Sequence, residues 1–464
     1  MRARFLAPRP TEARLLRIVT LFTLLAFPFT ATALALRLED PVFAQIWPAL
    51  VPALVITATL WLLHLILRWR HMQLEQLLLP AIGLLGAIGI VLVWRLRGPE
   101  GAWQQIMRGW LPGFVLIAAL VIYPRLLESL RRSWVPIASA VGLILLLATA
   151  FVGAPDEAGA RLALRLGPLP PIQTSEVVKL ALIIFLAWYI ERVGEEAEGR
   201  ARPIAGWLRL PELRYFVPGI LFVALATIAL VRMSDFGAIL ILGALFVGML
   251  YAGFQARIFL TIGAIGLLLS VLMALVLIFV WEPPDVIRHR FIAFQDPWSD
   301  APLIVNGQPA DITVAEGPGY QIQQALYAIG AGGLGGTGLG LGTPYFVPLA
   351  HSDFIFAAVV EELGGLVTLA LLALYAILLL RLLRVAVLLP EGQKFERLLL
   401  VGIAIHLFTQ VFVMVGGTFN LLPLTGITVP FLSQGGIALV VNLTEIGIAL
   451  ALVQRLEPRL EPRA

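Results

Sequence analysis

The chain consists largely of apolar stretches about 20 residues long, separated by short segments that carry most of its charge. A helix of that length matches the hydrocarbon thickness of a bilayer, where the backbone must satisfy its own hydrogen bonds. Only 13% of the 464 residues are charged, whereas soluble domains average roughly 25%. The sequence therefore predicts an all-α, polytopic membrane bundle and argues against a series of soluble domains.

The apolar stretches predict about twelve transmembrane helices. Most of the 33 Lys and Arg residues fall on the side that carries both termini, which predicts a multi-pass protein of the cytoplasmic membrane with cytoplasmic termini. Arg95, Arg97 and Arg108 are exceptions on the outer side. The predicted spans are 16–36, 43–67, 76–95, 109–124, 134–153, 174–193, 213–231, 235–254, 257–281, 351–381, 395–416 and 430–454.

Composition also narrows the chemistry. The chain has no cysteine, which excludes disulfides and thiolate ligands, and its five histidines lack metal-ligand spacing. No cofactor is predicted with certainty, and a divalent cation is left open. We expect the basic charge to set orientation rather than to bind nucleic acid. The N-terminus resembles a signal peptide, but we expect an uncleaved first helix.

Three charged residues lie near the starts of two predicted spans. Glu176 and Lys179 are three residues apart, so they share one face of a helix and can pair. Charges at bilayer depth are costly and normally pair or line a cavity. The pair is therefore either a structural ion pair or the border of a polar cavity. Asp235 precedes another helix and is expected to cap its N-terminus.

A third polar region runs from 317 to 365. Eight glycines between 330 and 342 permit tight turns and a close approach of the backbone to a ligand. Unpaired carboxylates in lipid would be costly, so acids within the following span are expected to have a role. The polar residues that begin this span, and the two acids expected deeper within it, are His351, Ser352, Asp353, Glu361 and Glu362.

The stretch 416–450 contains breaks before the last span. Pro423, Pro430 and the Gly435–Gly436 pair predict a re-entrant turn, which is allowed at membrane depth where protein or a cavity surrounds it. Ser433 would supply a hydrogen bond there.

These stretches, in this order, resemble the SEDS family of cell-wall proteins, which includes RodA and FtsW. "IQTSEVVK" is similar to the family's IQPSE…K helix, "AHSDFIFAAVVEELG" to AHTDFIFAVxxEELG, and "LLPLTGITVPFLSQGG" to LLPxTGxxxPFxSYGG. The resemblance implies a ten-helix core with two additional N-terminal spans. We accordingly divide the chain into N-terminal helices, 1–133, and a core, 134–464, whose large extracytoplasmic loop is 282–350.

The resemblance implies a peptidoglycan glycosyltransferase that polymerises lipid II, the undecaprenyl-pyrophosphate-linked disaccharide-peptide, beside a class B penicillin-binding protein. "DPWSDAP" resembles the family's DPWxDP loop and makes Asp300 the expected catalytic base. A carboxylate can take the proton of an attacking sugar hydroxyl. Asp296 is expected to be structural, because Asp-Pro favours a turn. The expected substrate-binding residues are Glu176, Lys179, Arg161, Arg290, Tyr320, Gln321, His351, Ser352, Asp353, Glu361 and Ser433.

Departures from the family pattern leave alternatives open. The insertion "APLIVNGQPADITVAE", residues 301–316, separates Asp300 from the GPGYQ segment, and Thr337 replaces a family lysine. One alternative is a flippase or transporter for a lipid-linked precursor. Another is a catalytically weakened scaffold for the penicillin-binding protein. The sequence does not distinguish a role in elongation from one in division.

Overall fold

The computed structural model is a helical bundle, and it describes residues 7–38, 42–129, 131, 134–153, 163–164, 171–205, 208–254, 285–305 and 308–456. The helices are α1 Pro10–Leu38, α2 Val42–Trp69, α3 Leu78–Gln105, α4 Leu111–Ile122, α5 Arg125–Ser129, α6 Val135–Val152, α7 Thr174–Gly199, α8 Val217–Met233, α9 Phe236–Gly253, α10 Asp285–Gln295, α11 Pro318–Gly332, α12 Ile355–Leu388, α13 Lys394–Thr418 and α14 Gly436–Val453. A π-helical turn, Ile106–Trp110, joins α3 to α4.

Short antiparallel strand pairs lie in the connections: β1 Ala163–Leu164 with β2 Ile172–Gln173, β3 Arg202–Ala205 with β4 Leu208–Leu210, and β5 Pro302–Val305 with β6 Gln308–Thr313. Among the described residues, eight helical segments are long and apolar enough to cross a membrane. The predicted helical membrane bundle is therefore confirmed. The predicted span 257–281 lies outside the described residues.

The third and fourth predicted spans form a hairpin with its turn at Gly98. Gly98 has a φ of +67°, a conformation that glycine adopts at little cost. After this turn the chain runs back beside the first part of α3. Close packing of the two arms shows this, since a Cβ on Gly86 would lie 2.1 Å from the Trp110 ring. Arg95 departs from the charge trend for a structural reason: it is buried, and its Nε lies 3.2 Å from Glu362 Oε1.

Helix α12 is interrupted at Gly364, which has a φ of +85°. A Cβ at this position would lie 2.4 Å from the backbone nitrogen of Gly336. Only glycine therefore allows such a close approach of the glycine-rich loop, which follows α11 and contains the glycines up to Gly342. The interruption places Glu361 and Glu362 at the end of a short first segment, 355–363. Both acids lie within the apolar segment Ile355–Leu388, just before the interruption, so their depth in the membrane stays a prediction.

The two N-terminal helices form a hairpin that is attached to the rest of the bundle. Within it, Trp61 Nε1 donates to Thr20 Oγ1 at 2.9 Å. At the interface with the next hairpin, Trp110 Nε1 donates to Thr59 Oγ1 at the same distance. Buried indole groups that find hydrogen-bond partners fix the register of neighbouring helices.

Ion pairs connect several helices at one end of the bundle. Glu396 Oε1 lies 3.0 Å from both Arg131 and Arg455, and Arg131 also pairs with Glu191 at 2.5 Å. Glu191 is near the end of α7, whereas Glu176 is near its start, about 22 Å away along the helix. Glu176, one of the residues predicted from sequence to form a site, therefore lies toward the opposite end.

Candidate functional site

Asp300 lies in the loop between α10 and β5, and its side chain is exposed. The strand pair β5–β6, which contains most of the insertion, returns the chain to this loop. Val314 N donates to Ala301 O at 2.9 Å, and Ala315 N donates to Ser299 O at 3.0 Å. Both neighbours of Asp300 are therefore held by the segment that leads into α11, so the insertion does not separate Asp300 from "GPGYQ" in space.

The preceding residues of this loop form a turn against α11. Asp296 Oδ1 accepts a hydrogen bond from Trp298 N at 3.1 Å, which confirms the structural role expected for this acid. Gln323 on α11 donates from Nε2 to Pro297 O at 2.7 Å. A Cβ on Gly319 would lie 2.2 Å from the same carbonyl oxygen, so the loop and the helix are in close contact.

A charged cluster lies where α10, α12 and the start of α9 meet. Arg290 interacts electrostatically with Asp353 and Asp235, and its buried Nη1 has no hydrogen-bond partner among the described residues. Burial lowers the pKa of Arg290 against the effect of both carboxylates. Burial also raises the pKa of Asp353 to about 6, although Ser352 and Arg290 favour its charged form. The cluster therefore holds a cation with an unused donor beside an acid whose pKa is raised by burial.

Two further charges extend this cluster into the bundle. Lys179 Nζ lies 2.7 Å from Glu176 Oε1, and both side chains are buried, which confirms the predicted pairing. Asp235 caps α9 by accepting a hydrogen bond from Ala238 N at 3.0 Å, as expected. It also lies within electrostatic range of Lys179. The sequence had assigned Asp235 to capping alone, so its place in the cluster was not predicted.

The loop before α14 is bonded to the segment before α12. Ser433 Oγ donates to Ser352 O at 2.6 Å and accepts from Val429 N at 2.9 Å. Gln434 N donates to His351 O at 2.8 Å. Ser433 is buried in irregular backbone surrounded by protein, as the re-entrant turn required. The structure thus brings together the predicted residues from two distant motifs.

Gln105 is a site residue that sequence reasoning missed. Its Nε2 donates to Ser433 O, and its Oε1 accepts from Gly435 N, both at 3.0 Å. A buried glutamine near the end of an apolar helix was the available signal, because such a group requires partners.

Glu361 and Glu362 bind the glycine-rich loop. Glu361 Oε1 accepts from Thr343 N at 2.5 Å and from Thr343 Oγ1 at 3.0 Å. Glu362 accepts from Gly340 N at 2.9 Å and pairs with Arg95. These contacts explain both buried acids structurally, and a substrate contact for Glu361 stays a prediction.

Backbone strain is concentrated beside the site. Three residues other than glycine have positive φ values next to residues of the site: Ser234 at 61°, Leu349 at 56° and Phe431 at 65°. Such conformations cost of order 1–3 kcal/mol and persist where the surroundings impose them, often at functional sites. The remaining predicted residues lie nearby or outside the described chain: Tyr320 is exposed and Gln321 half-buried at the start of α11, and Arg161 is outside the described residues.

An apolar groove of about 450 Å³ adjoins the charged cluster. Arg290 lies on its wall, and the other lining residues come from α9, α10, α13 and the loop before α14. A groove with one cation at its edge suits a lipid whose head group is anionic. Its apolar lining includes Phe236, Leu240, Phe291, Val413, Pro423 and Leu424.

Comparisons with known proteins identify the family. A family model described as "Cell cycle protein", for FtsW, RodA and SpoVE, matches residues 70–457. The chain belongs to this family. The peptidoglycan glycosyltransferase RodA of Mycobacterium bovis is 32% identical over 405 residues, covering 85% of this chain and 80% of that protein. A probable peptidoglycan glycosyltransferase FtsW of Thiomicrospira cyclica is 30% identical over 390 residues, covering 82% of each.

Two solved structures share the fold of this chain. A chain from a study of "polymerization and crosslinking by a peptidoglycan synthase complex" matches with a TM-score of 0.61 and 27% identity, covering 83% of this chain and 98% of that one. The rod shape determining protein RodA of Thermus thermophilus matches with a TM-score of 0.51 and 26% identity, covering 82% and 95%. The helices α1 and α2 precede the residues that the family model matches.

Proposed function

We propose that this membrane protein is a peptidoglycan glycosyltransferase that polymerises lipid II at the outer face of the cytoplasmic membrane, with Asp300 as its general base. The observation that carries the proposal is the loop of Asp300. An exposed carboxylate sits on backbone that is fixed on both sides, at the end of the bundle where the charged cluster also lies. Curated relatives covering most of the chain are named for the same activity.

The reaction explains why a carboxylate is needed. A sugar hydroxyl of one substrate attacks the anomeric carbon of another and displaces a lipid pyrophosphate. Asp300 removes the proton of that hydroxyl as the new bond forms, and such assistance contributes roughly 100- to 10,000-fold in rate. The exposed side chain leaves room for the hydroxyl, since catalytic hydrogen bonds often form only when the substrate is bound.

The charged cluster is suited to the leaving group. A guanidinium presents a planar set of donors that matches phosphate oxygens, and Arg290 has an unused buried donor. The adjoining groove offers an apolar surface to the isoprenoid chain. We assign the pyrophosphate to Arg290. Arg161 lies outside the described residues. We propose that the other predicted substrate contacts border this site or support it: Glu176, Lys179, Tyr320, Gln321, His351, Ser352, Asp353, Glu361 and Ser433.

The proposal includes a partner and an orientation. A class B penicillin-binding protein would crosslink the glycan strands, and one structural relative comes from a peptidoglycan synthase complex in which polymerisation and crosslinking are coordinated. The termini would lie in the cytoplasm, because basic residues favour that side.

Transport of a lipid-linked precursor is a second candidate. His406 Nδ1 lies 2.7 Å from Glu445 Oε1 inside the bundle, and the second polar atom of each side chain is buried without a hydrogen-bond partner among the described residues. Buried ionisable pairs of this kind occur along substrate pathways in transporters. Movement of lipid II across proteoliposomes, unaffected by changes at Asp300, would favour this function.

The decisive experiment compares glycan synthesis by three forms of the purified protein with its cognate penicillin-binding protein and lipid II. Wild type is expected to make glycan strands, and Asp300→Ala is expected to make none while the complex stays intact. Asp311→Ala is the matched control, because Asp311 is also exposed and lies in the neighbouring strand β6. Equal synthesis by wild type and Asp300→Ala would remove Asp300 from its role. Synthesis by neither would favour the scaffold.

A further inference from the structure

The N-terminal hairpin, formed by α1 and α2, packs against the glycine-rich loop. It precedes the residues that the family model matches. Leu339 and Phe29 line the same groove on the surface of α1. One residue later, Gly340 has a φ of +82°, and a Cβ there would lie 2.9 Å from Ala33 Cβ. The loop therefore follows the last two turns of α1, and a larger residue at position 340 would push the two apart.

Arg37, in the last turn of α1, binds this loop through its guanidinium group. Arg37 Nη1 donates to Gly342 O at 2.8 Å, and Nη2 donates to Tyr345 Oη at 2.8 Å. The guanidinium carbon also lies 5.2 Å from the centre of the Tyr345 ring, within the range of a cation–π contact. Gly342 O receives a second donor from Arg95 at 3.1 Å. The carbonyl oxygen of Gly342 therefore accepts hydrogen bonds from both the N-terminal hairpin and α3.

The opposite face of the loop is held by α12. Thr337 N donates to Glu361 O at 2.8 Å, and Gly338 N donates to Glu362 O at 2.9 Å. The loop is therefore enclosed between α1 and the short first segment of α12. From Tyr345 it continues within a few residues to His351, where the polar residues of the candidate site begin.

We propose that the α1–α2 hairpin is a positioning element of the substrate site and that Arg37 is its positioning residue. Arg37 holds loop 337–345 in the conformation that presents the following segment, 351–353, to lipid II. This inference rests on the proposed function for the identity of the substrate. When the loop is released, a smaller fraction of the protein is competent to bind, so apparent affinity falls while turnover of the bound complex is retained.

The test uses the full chain with its penicillin-binding protein partner and compares Arg37→Ala, Arg37→Lys and Arg17→Ala. Arg17 lies on the same helix, and its Nε donates to Ala13 O within that helix, so it is the matched control. Arg37→Ala loses two hydrogen bonds to the loop, one part-buried and one exposed, and their combined loss predicts about tenfold faster hydrogen exchange in loop 337–345. The KM for lipid II should rise by up to about tenfold, with kcat within about twofold of wild type. Arg37→Lys, which retains a single charged nitrogen, should be intermediate.

Three results would overturn the proposal. The first is unchanged exchange and unchanged KM in Arg37→Ala. The second is faster exchange throughout the chain with a lower kcat and an unchanged KM, as expected from a general loss of folding. The third is an equal effect of Arg17→Ala. If wild type makes no glycan, the proposed function fails separately. The same comparison then uses the Kd for lipid II from a binding titration, with a rise of up to about tenfold expected for Arg37→Ala.

Discussion

Two groups of charged side chains at the same end of the bundle differ in how fully they are bonded. Both carboxylate oxygens of Glu362 have partners, Arg95 and Gly340 N, within the protein. Arg290, by contrast, is half-buried and retains a donor without a partner among the described residues. Buried polar groups are normally satisfied, so an unsatisfied one needs an explanation, and the adjoining apolar groove makes a lipid ligand the explanation that we propose for Arg290. The first group therefore holds the glycine-rich loop, and the second is the group that we propose receives the substrate.

The largest expected effect comes from a substitution at Glu362, whose two carboxylate oxygens both have partners within the protein. Glu362→Gln leaves the buried Arg95 without an anionic partner, and breaking a buried ion pair typically costs about 3–5 kcal/mol. Thermal unfolding in detergent should show a much lower Tm. Glu361→Gln is the matched control: its amide oxygen can still accept from Thr343, so a loss of about 1 kcal/mol is expected. Equal losses would contradict the division between the two groups.

The substrate-receiving group should show the opposite behaviour. Arg290→Met removes charge-assisted contacts with the pyrophosphate, which are worth about 1.5–3 kcal/mol, and should raise the KM for lipid II about 10- to 150-fold. Its Tm should fall less than that of Glu362→Gln, because Asp353 and Asp235 can become protonated when the charge of Arg290 is removed. Arg200→Met, at an exposed pair with Glu196, controls for charge. A collapse in Tm with an unchanged KM would place Arg290 in the structural group instead.

The acid beside Arg290 should give the protein a pH-dependent stability. Its folded-state pKa of about 6 lies above the value near 4 of an unfolded aspartate. The folded chain therefore binds this proton more tightly. The stability gained is fully present below about pH 4 and is lost as the pH rises through about 6. The Tm of wild type relative to Asp353→Asn should accordingly fall between pH 4.5 and 7.5. A constant difference would show that Asp353 is not buried as described.

The smallest effect is expected at the link between the two loops. Ser433→Ala removes the hydrogen bond to Ser352 O and leaves Val429 N without its acceptor, at a cost of about 1 kcal/mol. The KM for lipid II should rise by less than about tenfold. A larger rise without loss of Tm would indicate that Ser433 itself contacts the substrate.

Local rules predicted much of this structure from the sequence. The apolar spans, the pairing of Glu176 with Lys179, the cap at Asp235 and the turn at Asp296 each depend on residues within a few positions of one another. Those interactions are confirmed because helix and turn geometry fixes the neighbours.

Long-range partners were not predictable in the same way. Arg95 and Glu362 are 267 residues apart, and their pairing depends on how α3 packs against α12. The hydropathy of the sequence also gave no sign that α12 is interrupted at Gly364, because an apolar stretch continues directly after this glycine. The insertion at 301–316 could be read as a spacer, but its strands pair and return the chain to Asp300. The roles of Asp300 and the substrate contacts stay predictions.

The most direct test of the central claim separates binding from chemistry at Asp300. Asp300→Asn retains the size and polarity of the side chain but cannot accept the proton of the attacking hydroxyl. If Asp300 is the general base, the Kd for lipid II should match that of wild type, and kcat should fall roughly 100- to 10,000-fold. A weaker Kd with kcat unchanged would show that Asp300 binds the substrate and that another group removes the proton.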